Sequence, residues 1–389
     1  MIDIAKVRAD TAGCEAVIHL NSAGSSLPPR QVVEAVVGHI RLEEQMGGYE
    51  AEAHAEAQLN RVYVAAAAML NCTPEEIAFT GSASEAWWRA FSSIALQPGD
   101  RILFGHSAFQ TNAFGLMQAA ERGVIVEVVP NDDAGEIDLD QLDRMLDDRV
   151  KAICLTQISM SNGAIHPAAA VGARARAVGA TFLLDSCQAA GQLPLDVEEI
   201  GCDFLVFTGR KFIRGPRGTG VLYARHSVID RLGPSPFIDG RSAEWTGPDS
   251  YVFQPGARRF EFGEQNFAGK AGLGVALDYA LGLGLEPIAE RIGRLAGQLR
   301  GELSDLPGVV VHDQGRIKSG IVTFTVDHCG PDEVKRQLDL KGVNVSAPGR
   351  RNAQLDLGTR GLAAVVRAGV HYFNTKAEIA AVVAAVRAV

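Results

Sequence analysis

Residues 204–225 read FLVFTGRKFIRGPRGTGVLYAR, and the rest of the chain is best understood outward from them. The short apolar run 204–207 reads as a strand. It delivers Thr208, Gly209, Arg210 and Lys211 to its C-terminal end, the edge at which open α/β sheets bind their ligands. A glycine-rich turn and a second apolar run, residues 221–223, follow. Lys211 is therefore expected at the floor of a site rather than on a solvated helix face. A lysine in a loop is by itself more often an ordinary surface side chain, so the neighbouring segments must carry the assignment.

Upstream, short apolar runs of the same kind recur at 76–80, 101–104, 125–129, 152–156 and 181–185. Helical patterns fall at 29–45, 50–70 and 84–96. This alternation predicts an α/β protein with a largely parallel sheet. After about Gly269 the character changes. A long helical stretch, 269–303, precedes the strand-rich segments GVVVHDQ and SGIVTFTV, and a helix from Lys376 closes the chain. At 389 residues the chain is long for one core. The expectation is a large domain, 1–268, and a smaller α+β domain, 269–389, with segment 1–20 packing toward the small one.

Composition narrows the function. Apolar residues make up 47% and charged residues 21%, which excludes general disorder. A net charge of −9 argues against a nucleic-acid partner. The six cysteines are scattered, without a CxxC pair or a ligand-like cluster with histidines, so no metal site is expected. The N-terminus has no apolar leader, and no run of roughly 18 apolar residues follows. A cytoplasmic protein that does not engage a membrane is expected.

Two further segments bear on Lys211. In TFLLDSCQAAGQLPLDV, Asp185 ends an apolar strand and Gln188 follows three residues later. Such a carboxylate can cap a helix; it can also keep a pyridine nitrogen protonated and so make a cofactor an electron sink. In FTGSASEAWW a strand runs through small residues into a helix, whose free N–H groups and Ser84 hydroxyl suit a phosphate.

Together these segments resemble the class V aminotransferase family, the branch of fold-type I pyridoxal 5′-phosphate enzymes that contains the cysteine desulfurases. The resemblance runs from HLNSAG, near residue 20, to RAGVHYFNT, near the end. It implies a fold-type I architecture, a pyridoxal 5′-phosphate cofactor, a small amino-acid substrate and a homodimer with its site at the interface. By position, Lys211 resembles the Schiff-base lysine, Asp185 the pyridinium partner and Gln188 the donor to the ring hydroxyl. Ala83, Ser84 and Thr208 resemble phosphate ligands. Arg210 stands where desulfurases usually carry a histidine that also reaches the phosphate. Phe109, in HSAFQTN, falls at the position that stacks on the ring, often histidine; His106 nearby is left out of the catalytic set. Arg367 matches the arginine that grips the substrate α-carboxylate. Asn21, Ala23 and Gly24 resemble the segment lying across that carboxylate, and Tyr49 is expected to face the substrate.

The sequence also departs from the desulfurase pattern. Between Val345 and the arginine-bearing strand, SAPGRRNAQLDLGTRG contains no cysteine, and Cys329 follows a strand. Ser159-Met160 replaces a Ser-Asn pair, with Asn162 two residues later. Glu264, in RFEFGEQNFAG, replaces a threonine that reaches the partner's phosphate, so it is expected to point elsewhere. Lys211 is expected to take the Cα proton. The chain resembles the subgroup of isopenicillin N epimerase-like proteins and hercynylcysteine sulfoxide lyase, which favours β-elimination at a C–S bond to pyruvate and ammonia. An aminotransferase, an epimerase or racemase, and a desulfurase lacking the loop cysteine stay as alternatives. Arg350 and Arg351 suit a second acidic group on the substrate or a solvated turn. A ligand-binding protein without catalysis is disfavoured by Lys211, Asp185 and Arg367.

Overall fold

The computed structural model describes residues 2–233 and 235–389. Its centre is a seven-stranded sheet. The strands are β1 (Ile77–Thr80), β2 (Arg101–Gly105), β3 (Ile125–Val129), β4 (Val150–Thr156), β5 (Thr181–Asp185), β6 (Phe204–Thr208) and β7 (Gly220–Ala224). Their order across the sheet is β1-β7-β6-β5-β4-β2-β3. The block from β6 to β3 is parallel, while β7 runs antiparallel to both β6 and β1. Every residue of β1, β2, β6 and β7 is buried. Burial on both faces is why these strands read as continuous apolar runs rather than alternating ones.

The two faces are packed by alternate residues of the same strands. Phe182, Leu184, Leu205 and Phe207 enter one core, and Leu183, Phe204 and Val206 enter the other. The first core is covered by α1 (Arg30–Met46) and α2 (Glu56–Leu70) and the second by α3 (Ala83–Ser92) and α4 (Gln110–Glu121), with α5 (Ala168–Ala177) on the first face. Register pairs Thr156 with Asp185 and Asp185 with Val206, so the C-terminal ends of β4, β5 and β6 lie along one edge.

The predicted helix 50–70 is two helices, Gly48–His54 and α2, divided at Ala55. The predicted stretch 269–303 is also two, α6 (Phe267–Leu283) and α7 (Leu285–Ser304), bent by 80° at Gly284, whose φ of 84° only glycine adopts readily. Leu273, Ala276 and Leu277 of α6 share the core of α1 and α2. By packing, α6 is part of the large body, and the chain leaves that body near Gly284 rather than at 268/269. The smaller body has an antiparallel sheet of β8 (Val309–Val311), β9 (Ile321–Val326) and β10 (Val366–Gly369). It is covered by α7, α8 (Pro331–Leu340) and α9 (Lys376–Arg387) through Leu299, Leu338 and Val382. Residues Ile18–His19 pair with Val343–Asn344, which ties the N-terminal segment to this body. Among the described residues no single helix is long and apolar enough to cross a membrane.

Two features of this packing carry predictions. A Cβ added at Gly172 in α5 would lie 1.9 Å from the Ile200 carbonyl oxygen. Glycine to alanine within an open helix gains about 1 kcal/mol; here Gly172→Ala is expected to lose about 1–3 kcal/mol by overpacking. A denaturation midpoint at or above that of the unaltered protein would contradict the close approach. The second concerns buried histidines. Burial pushes His166 down from 6.5 to about 4, and His371 well below its ordinary value. Such groups bind fewer protons folded than unfolded, so their stability contribution is complete above pH 6.5 and is lost as pH falls toward 4. For His166 that window is worth on the order of 3 kcal/mol. Urea midpoints measured from pH 7 to pH 4 should fall less steeply in His166→Gln; equal slopes would contradict a buried neutral imidazole.

Candidate active site

A cavity of about 260 Å³ opens at the shared strand edge. Thr156 of β4, Asp185 of β5 and Thr208 of β6 reach it from the sheet, followed by Arg210 and Lys211. Residues 81–84, at the start of α3, and Ser107, Phe109 and Asn112, around the start of α4, form the facing wall. Seven of the sequence-derived residues thus meet in one space with Lys211: Ala83, Ser84, Phe109, Asp185, Gln188, Thr208 and Arg210.

Each has a physical setting. Burial pushes the Lys211 amine below its ordinary pKa, opposed by Cys187 and Asp185. Asp185 accepts from Asn112 Nδ2 at 2.9 Å and from the Cys187 N–H at 3.0 Å, which fixes the carboxylate. Gln188 donates from Nε2 to the Ala23 carbonyl at 3.1 Å, leaving its buried Oε1 without a partner. The buried Thr156 Oγ1 is likewise unpartnered. The Ala83 and Ser84 N–H groups lie in the first turn of α3, where no intrahelical acceptor exists. Thr208 directs its hydroxyl hydrogen to the Thr219 carbonyl at 3.1 Å. Arg210 donates to the Gly24 carbonyl, and the Ser26 N–H donates to the Arg210 carbonyl at 2.8 Å. The N-terminal segment is thereby fastened to the loop that bears Lys211.

Arg367, on β10, is buried and donates from Nε to Ser346 Oγ at 3.1 Å and from a terminal nitrogen to the Met160 carbonyl at 3.5 Å. Burial and then Arg210 push it down to about 10, so it stays charged at neutral pH. It has no carboxylate partner among the described residues. Asn21 and Ala23 are not on the cavity wall: Asn21 bridges Gly369, and Ala23 stands behind Gln188.

Tyr49, Glu264 and the pair Met160 and Asn162 have distinct places. Tyr49 does not face this cavity within the chain. It is 88% exposed in a separate surface groove, two residues after Gly47 ends α1. Glu264 lies in that same groove and in a small pocket beside Gly81, and is not itself on the cavity wall. Met160 lines the cavity, whereas Asn162 is turned away, donating to Asp356 Oδ1 at 3.0 Å and Gln314 Oε1 at 3.1 Å. Buried Asp356 also accepts from Ser161 Oγ at 2.5 Å, which fastens segment 346–361 to the β4 side of the site. Cys329 packs at the edge of the small-body core, while Cys187, in the DSCQ stretch, is the cysteine on the cavity wall. Its signal was present in the sequence, between the two residues already singled out. Asn112 and Ser107 were also missed. His166 Nδ1 accepts from the Ile137 N–H at 3.0 Å, so its Nε2–H donates to Ser107 Oγ at 2.9 Å. Among the described residues no group of three or more His, Cys, Asp or Glu is arranged to hold a metal ion.

These residues fit pyridoxal 5′-phosphate. An amine whose pKa burial lowers, a fixed carboxylate, two unpartnered buried polar atoms and a helix N-terminus all face one space.

The family model described as Aminotransferase class-V matches residues 18–382. A cysteine desulfurase of Pectobacterium carotovorum subsp. carotovorum is 30% identical over 405 residues, covering 98% of this chain and 96% of that protein. A probable cysteine desulfurase of Methanothermobacter thermautotrophicus is 28% identical over 372 residues, covering 93% and 92%. Among solved structures, the apo cysteine desulfurase of Thermococcus onnurineus NA1 matches with a TM-score of 0.91 at 27% identity, over 100% of this chain and 98% of that one. With strand order, cavity and family model in agreement over most of its length, the chain belongs to the class-V aminotransferase family and is a pyridoxal 5′-phosphate-dependent enzyme.

Proposed function

We propose that this enzyme cleaves the Cβ–S bond of a cysteine-derived amino acid, an S-conjugate or its sulfoxide, by β-elimination to pyruvate and ammonia. Relatives named cysteine desulfurases support chemistry at a C–S bond. The observation that carries the lyase reading is segment 346–361, which holds no thiol and is fastened down through Asp356.

The bound cofactor supplies an electron sink for the pair released at Cα. Asp185, held by Asn112 and the Cys187 N–H, is the carboxylate that would keep the ring nitrogen protonated, and the first turn of α3 would receive the phosphate. Gln188 and Phe109 would meet the ring. Arg367 would hold the substrate α-carboxylate, since its buried guanidinium otherwise lacks an anion. The Lys211 amine, lowered by burial, takes the Cα proton. The sulfur then leaves with the Cβ–S electron pair as thiol or sulfenate. Water converts the released 2-aminoacrylate to pyruvate and ammonia.

A second reading rests on Cys187, a thiol on the cavity wall. As a desulfurase, the enzyme would pass sulfur to Cys187 and release alanine. Burial, followed by the charge of Asp185, pushes this thiol up, so the thiolate that such transfer needs is scarce at neutral pH. Cys187→Ala and a cysteine-free variant, compared with the unaltered enzyme at matched cofactor loading, should form pyruvate from a cysteine S-conjugate at rates within a few-fold. Alanine and persulfide instead of pyruvate, lost with Cys187, would replace the lyase reading by the desulfurase one.

We also propose a two-fold homodimer. Val33, Val37 and Ile40 form an exposed apolar stripe along α1, next to the groove that holds Tyr49 and Glu264. A partner there would bury well above ~2,000 Å² in total, as obligate dimers do. Light scattering should give a dimer; a fully active monomer at low concentration would contradict it.

A further inference from the structure

The turn between β6 and β7 carries an arginine without a role in the chemistry above. Arg217 lines the cavity, and among the described residues it forms no hydrogen bond or ion pair. Arg217 itself is exposed, while the backbone on either side of it is held. The Gly209 N–H donates to the Thr219 carbonyl at 3.1 Å, the Gly215 N–H to the Gly209 carbonyl at 2.8 Å, and Thr219 Oγ1 to the Pro216 carbonyl at 2.7 Å. A fixed turn therefore presents an uncommitted guanidinium.

Its place in the fold says which end of the cavity it serves. At Gly220, where the turn enters β7, an added Cβ would lie 2.5 Å from the Ser82 carbonyl carbon and 2.8 Å from the Ala83 nitrogen. The turn is thus pressed against the backbone that opens α3. Asp185, the carboxylate of the cavity wall, ends β5, and β6 lies between β5 and β7. Two strand spacings separate the ends, or about 10 Å. One end of the cavity therefore combines α3 N–H groups with a free cation, and the other holds a carboxylate. The unpartnered, buried Thr156 Oγ1 marks the same space as a site for a polar ligand. Arg217 also acts electrostatically on the site: after burial, its charge helps lower Arg210.

We propose that Arg217 is a cofactor-phosphate ligand, completing with its guanidinium the anion cradle that the α3 N-terminus begins. This rests on the orientation given above, with the phosphate at α3 and the ring nitrogen at Asp185. Arginine suits the task because its fork donates two hydrogen bonds to one phosphate and keeps its charge at any working pH.

The test is binding rather than turnover. Apoprotein is titrated with pyridoxal 5′-phosphate and with pyridoxal, which lacks the phosphate, and visible absorbance is followed. Arg217→Ala should weaken pyridoxal 5′-phosphate about tenfold or more, the scale of one charge-assisted contact, and leave pyridoxal unchanged. Arg217→Lys should restore most of the loss. Equal weakening of both ligands, or an unchanged preference for the phosphorylated one, overturns the proposal. If Arg217→Ala loses its thermal unfolding transition, Arg217→Gln is measured against the same two outcomes. If the unaltered protein itself does not prefer the phosphorylated ligand, the orientation fails, a result distinct from failure of Arg217.

Discussion

Lys211 is an amine taken out of water, with one carboxylate on the wall around it. Removing a cation from water without a close partner costs several kcal/mol, and an amine escapes that cost by giving up its proton. Arg367 cannot do so, and burial lowers it only to about 10. The site therefore joins a lysine driven toward its nucleophilic form to guanidinium groups that keep their charge. Both conditions require a dry, rigid strand edge. The sheet supplies it, because β4, β5 and β6 are packed on both faces and end in register at Thr156, Asp185 and Thr208.

The charge pattern of this edge limits what it can hold. Arg210 and Arg217 line the cavity with Asp185, and Arg367 donates to the carbonyl of Met160 on its wall. Such an excess of cations is stable only with water or with an anionic ligand in place. A phosphorylated cofactor and an amino acid together bring the missing negative charge at two separate points. The hydrogen bonds of the second layer hold the arrangement still: Asn112 and the Cys187 N–H on Asp185, Ser346 on Arg367, and Asp356 on segment 159–162. The last of these converts the region beside β10, which contains no cysteine, into a fixed wall.

Much of this was legible in the sequence because it depends on local pattern. Strands buried on both faces must be apolar throughout, so six of the seven runs could be marked from the sequence, and the seventh, at 221–223, was visible as the end of the lysine turn. Lys211, Asp185 and Ser84 sit at strand ends and at a helix start, positions that pattern alone identifies. Features decided by long-range packing were not legible. Periodicity continues across Ala55 and Gly284, so both helix breaks were hidden, and α6 was assigned away from the body whose core it shares. Whether Met160 or Asn162 faces the cavity depends on Asp356, nearly two hundred positions downstream. Tyr49 lies outside the cavity of its own chain, in the surface groove, a placement that no local pattern reveals. Cys187 was not singled out, although it stands between Asp185 and Gln188 in the sequence.

Among the described residues two lysines have their pKa lowered by burial, and they separate the account from its simplest rival. Lys211 stands at the strand edge. Lys270, pushed to about 8 by burial, donates to Tyr63 and Gln265 and is not on the cavity wall. Borohydride reduction of the cofactor-loaded protein, followed by peptide mapping, reads out which amine holds the cofactor. The label is expected on the peptide containing Lys211 alone. A label on Lys270, or on any other lysine, would contradict the assignment of the strand edge as the catalytic centre.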